Sequence, residues 1–158
     1  MYKIRLFISI ILLTIVQLHA ITANDIVGSW YSSLRTVNNG TEIIEKESLK
    51  FNADNTFMLV ILVNLNKDIA YVKDLRIEVI GNWEVKENAL IYTINSVNVP
   101  SAKDIYQVSK QSLDNLASSF KSIWVSDKIH IYKIISFEPK KLTVKSRRGI
   151  ITKYKRLY

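Results

Sequence analysis

"GSWYSSLRTVNNGTEIIEKESLKFNADNTF", Gly28–Phe57, holds two turns and the runs that flank them. "NNGT" is a hairpin signal, because Asn and Gly tolerate the left-handed backbone that a tight turn needs. "NADN" is a second polar turn. The runs on either side, "SWYSSLRTV", "EIIEKESLKF" and "TFMLVILVNL", are rich in β-branched and aromatic residues, which suit a pleated surface.

The same grammar continues to the end of the chain. "LRIEVIGNWEV" leads through "KEN" to "ALIYTINSVNV", and "IHIYKIISFE" leads through "PK" to "KLTVKS", then "RRG", then "IITKYKRLY". Gly and Pro are scarce, at 4 and 2, so the turns rely on Asn, Asp and Lys. The reading is an all-β chain, a small antiparallel up-and-down β-barrel of eight or nine strands. One segment departs from it. "SAKDIYQVSKQSLDNLASSFKSIW", Ser101–Trp124, places Ile105, Val108, Leu113, Leu116 and Phe120 at helical spacing. The pattern predicts one inserted amphipathic helix over about 102–121, with Ser101 as N-cap and Asp104 completing a capping box. "TFMLVILVNL" is nearly continuous in apolar residues, which suggests cover on both faces. The helix would lie either on the outer face of that strand as a buttress or over the barrel mouth as a lid.

Upstream, "MYKIRLFISIILLTIVQLHAITA" has the order of a secretory signal peptide. Lys3 and Arg5 precede an apolar run, and Ala20 and Ala23 offer small residues for cleavage. The run is shorter than the ~20 residues of a membrane span. Residues 1–23 are therefore read as a leader and 24–158 as one domain, with Asn24 or Ile21 as the mature start. The protein is expected to be exported, periplasmic or secreted, and not integral to a membrane once cleaved. There is no Cys, so no disulfide can form and the fold rests on its hydrophobic core.

The net charge is +8, from 22 basic and 14 acidic residues. From His130 to Tyr158, nine Lys and Arg face a single acid, Glu138. These charges alternate with apolar residues, which assigns them to the solvated outer faces of the last strands. A basic end of this kind also leaves an envelope protein or an anionic surface open as a partner. Nucleic acid is not expected for an exported chain.

Four pieces together resemble bacterial lipocalin-like (calycin) domains: "GSW" at Gly28–Trp30, "FNADNTF" at Phe51–Phe57 with Asn55 where Gly is usual, "GNWEVKENALIYT" at Gly81–Thr93, and the closing "KLTVKSRRGIITKYKRLY". The resemblance implies a barrel whose first-strand Trp, Trp30, is crossed by an Arg of the closing strand, here Arg156. Period two agrees, since Thr152, Tyr154 and Arg156 share a face. A ring within about 6 Å gives such an Arg a cation–π contact. The family implies a small apolar or amphipathic ligand by analogy only. Strand parity offers Phe57, Leu59, Ile61, Trp83, Val85, Ile91, Thr93 and Tyr154 as its lining. The alternative is that these side chains fill the barrel, leaving a protein-interaction module with no small-molecule ligand.

No enzyme is expected. After the leader, His130 is the one histidine, which excludes a histidine-cluster metal site. A Ser-His-Asp triad would depend on that residue alone, and it reads as a strand histidine. No P-loop, G-x-G-x-x-G or G-x-S-x-G occurs. Glu45 and Glu47 share a strand face and read as exposed charges. No catalytic residue, metal or cofactor is assigned.

Overall fold

The computed structural model describes residues 21–100 and 102–158, and in it the meander closes on itself. In chain order the strands are β1 (Gly28–Asn38), β2 (Thr41–Phe51), β3 (Thr56–Lys67), β4 (Ala70–Lys86), β5 (Ala89–Asn98), β6 (Asp104–Tyr106), β7 (Ile129–Glu138), β8 (Lys141–Ser146) and β9 (Ile151–Arg156). All their pairings are antiparallel. The first five strands pair in sequence, β5 pairs with β7, and β7, β8 and β9 lead back to β1. The result is a closed eight-stranded barrel with β6 as one extra strand outside the ring, an architecture consistent with a lipocalin-like barrel.

The turns have the chemistry read from the sequence. Asn39 and Gly40 both have positive φ, at 48° and 75°, as a primed hairpin turn requires. Asn55 sits at φ 63°, in the left-handed region that Asn tolerates better than most residues. Thr56 donates its backbone N–H and its hydroxyl to Asp54 Oδ1, at 3.0 and 2.6 Å, closing that turn. From Phe51 and Phe57 the period of two runs inward. Phe57, Leu59, Ile61 and Val63 of β3 are buried with Leu75, Ile77, Val79 and Trp83 of β4.

A short helix, α1 (Ala23–Ile26), crosses the end of the barrel where β1 begins. Ile26 is wholly buried, and Ile21 and Ala23 pack against the core. The rest of the expected leader, 1–20, lies outside the described residues, as does Ser101. No described helix is long and apolar enough to cross a membrane.

Two expectations need correction. The inserted helix, α2, spans Lys110–Val125 rather than 102–121, and its N-cap is Ser109, whose side chain accepts from Ser112 N at 3.1 Å. Ile105 is not on its face: it belongs to β6 and pairs with Val72. The cause is an unpaired edge. β5 follows β4 only from Glu78 onward, so the edge at Tyr71–Lys73 would lack partners, and backbone polar groups seek them. β6 supplies them, Tyr71 and Tyr106 stack at 5.8 Å, and Gln107 turns away at φ 54° before the helix starts. Val108 precedes the helix, half-buried against the core.

The second correction concerns the outer face of β3. α2 packs mainly on β5 and β4. Met58 on that outer face is exposed, while Val60 and Leu62 are half-buried. Their shelter comes from neighbouring strands: Leu62 lies between Lys46 and Arg76 in register, and long basic side chains cover apolar surface with their stems.

Candidate functional site

The barrel has a packed half and an open half. The packed half begins at Trp30, which is fully buried and donates its indole N–H to Ile26 O at 2.8 Å. Arg156 lies beside it in register, its guanidinium 4.2 Å from the Trp30 ring centre. The guanidinium donates to Pro139 O at 2.7 Å, to Val27 O at 2.6 Å and to Asp25 O. It therefore ties α1 and the β7–β8 turn to the closing strand. Gly28 makes room for it: φ is 131°, and a Cβ there would come 2.9 Å from Arg156 Nη1. Trp30 and Arg156 thus meet at the closed end.

Above this plug the side chains expected to line a ligand cavity touch one another instead. The ring centres of Phe51 and Trp83 are 4.6 Å apart, and those of Phe57 and Tyr92 are 4.7 Å apart. Phe57, Leu59, Ile61, Trp83 and Tyr154 are buried, and Val85 is half-buried at the edge of the same core. The inward assignment of Ile91 and Thr93 is wrong. Trp83 faces Tyr92 across β4 and β5, so Leu90, Tyr92 and Ile94 point inward and Ile91 and Thr93 point out. A one-residue error of phase exchanges the two faces of a strand.

The open half is built where β1 and β9 part. They pair only at Trp30–Arg156 and Tyr31–Lys155, although β1 continues to Asn38. A cavity of about 410 Å³ occupies the seam, lined by Ser32, Leu34, Glu45 and Glu47 from β1 and β2 and by Ile151, Thr152 and Lys153 from β9. Glu45 and Glu47 are therefore not exposed strand charges. They share the inner face with Leu49 and Phe51, opposite Leu34 and Ser32 in register. Ser32 is buried and small, and across it the Tyr154 hydroxyl on β9 donates to Glu47 on β2.

This interior favours neutral groups. Burial pushes the Glu47 carboxyl above its usual 4.5; Glu45 adds to the rise, while the Tyr154 hydrogen bond opposes it. Burial likewise raises Glu45. Tyr92, Tyr132 and Tyr154 are held protonated by burial and by the Glu47 charge. Among the described residues, neither glutamate has an ion-pair partner. The arrangement can accept hydrogen bonds from a donor head group and can neutralise a cation.

α2 caps the far end on the β4–β5 side. Leu113, Leu116, Phe120 and Trp124 pack against the inward-facing core, none of them fully buried. The His130 ring lies 4.9 Å from Trp124, beneath the end of the helix. Among the described residues no three His, Asp or Glu side chains gather so as to hold a metal ion. Sequence reading missed Ser32, Leu34, Glu45, Glu47 and Thr152. The signal was available: counting back by twos from inward Phe51 reaches both glutamates.

Comparison of the chain with family models and with curated proteins finds no match.

Proposed function

We propose that the protein is an exported, non-enzymatic barrel of the lipocalin-like kind, binding one small amphipathic molecule in the β1–β9 seam. The observation that supports this reading is the cavity itself. Its volume of about 410 Å³ falls within the ~300–1,000 Å³ of small-molecule sites. Its wall combines Leu34 and Ile151 with one lysine, Lys153, and two glutamates that have no ion-pair partner among the described residues. A lining with more acid than base suits an apolar body with a hydrogen-bond-donating or protonated amine head. Calorimetric titration with dodecylamine and with lauric acid tests it. Saturable one-to-one binding of the amine is expected, lost in Ser32→Phe, which fills the cavity, and weakened in Glu47→Gln. Tighter binding of the acid would overturn the head-group assignment. No binding of either would overturn the proposal.

The packed aromatic half supports a second reading, a filled barrel that serves as a protein-interaction module. Failure of both titrations would leave that reading standing. Export is tested separately by the N-terminus of protein recovered from its native cell, expected between Ile21 and Asp25. That window keeps Ile26, which is wholly buried.

A further inference from the structure

The outer face of β7–β9 borders the cavity only at Ile151 and Lys153, and its charge is concentrated more strongly than sequence order shows. Lys133 on β7 stands opposite Lys145 on β8, Lys141 opposite Lys155 on β9, and Thr143 opposite Lys153. All five lysines are exposed. Like charges directly opposite each other destabilise a sheet, and Glu138, paired with Lys141 at 3.2 Å, is the one acid bonded to any of them among the described residues. The fold gains nothing evident from such a grid.

Aliphatic side chains are interleaved with these charges. Ile151 lies opposite Lys145 and is 51% exposed, and Ile135, raised by a bulge, is 48% exposed. At the upper edge a notch of about 170 Å³ joins Ile129 and Ile150 with Arg147 and Arg148.

We propose that this face docks on an anionic lipid bilayer. Charge complementarity selects an anionic partner. The aliphatic side chains select lipid among anions, because Ile can enter the interfacial region while Lys stems reach outward to head groups. The inference is independent of whether the interior binds a ligand.

The test is co-sedimentation of the full chain with phosphatidylcholine vesicles and with vesicles containing phosphatidylglycerol. The N-terminal segment carries Lys3 and Arg5 and can itself favour anionic vesicles, so the patch is read from the difference between wild type and the patch variants, which share that segment. Wild type is expected to favour the anionic vesicles and to lose that preference at high salt, which shortens the screening length to about 3 Å at 1 M. Lys145→Glu/Lys155→Glu should reduce the preference by more than about tenfold, taking roughly fivefold per lysine. This variant places an acid opposite Lys133, which relieves repulsion. Lys145→Gln/Lys155→Gln gives a second, milder check. The control Lys46→Glu/Lys50→Glu carries the same net-charge change on exposed positions of β2 and should retain the preference. Equal binding to both vesicle types, or an equal loss in the control, would overturn the proposal. So would preferential binding of duplex DNA over vesicles.

Discussion

At the scale of single residues, the closed end rests on Gly28, Trp30 and Arg156. Trp30→Ala should cost about 3–5 kcal/mol, the usual range for a buried large aromatic. Arg156→Lys should not rescue Arg156→Ala, because an ammonium cannot serve three carbonyls that converge from two directions on a planar fork. Urea denaturation of the single and double variants measures both effects. It should also show coupling between Trp30 and Arg156, since they touch. Glu47 gives a prediction in pH. Its carboxyl titrates above 4.5 in the folded protein, so the fold holds a proton that the unfolded chain has released. That contribution is fully present below about pH 4.5 and is lost as pH rises through the folded value. Wild type should therefore lose stability relative to Glu47→Gln as the pH climbs from 4 towards 8. A stability difference that stays flat across that range would show that Glu47 titrates normally.

At the scale of elements, irregularities decide where the barrel bends. The register of β4 against β5 shifts between Ile80 and Gly81. At Gly81 a Cβ would overlap the Thr93 carbonyl and come 2.8 Å from the Phe57 ring. Gly81→Ala therefore forces backbone to move and should cost about 1–3 kcal/mol or more, read from the urea midpoint. A similar economy explains α2. Helical periodicity over about 102–121 was real from Leu113 onward, but its first third was claimed by the free edge of β4. Ile105 is as compatible with a strand as with a helix, and only the position of β4 decides between them. The parting of β1 from β9 was equally invisible, because β-propensity reports that a strand forms and not which neighbour it keeps.

At the scale of the molecule, one contiguous core links every barrel strand and α1. Far-ultraviolet and near-ultraviolet signals should therefore lose intensity in one coincident transition, as for other single domains of this size. Separate transitions would mean that the plugged end and the open half unfold independently. The amino-acid sequence by itself determined the all-β class, the strand order and the turns at Asn39–Gly40 and Asn55. Each of these follows from local backbone chemistry or from a period of two anchored by a turn, whereas the meeting of Trp30 with Arg156 was implied by the resemblance to lipocalin-like domains, with which the parity of the last strand agrees. Tertiary structure alone decided the packed half, the parting of β1 from β9 that opens the seam, the start of α2 and the alignment of lysines on β7–β9. Those features depend on which strands become neighbours and in what register, and that is settled by closing the barrel rather than by any segment read alone.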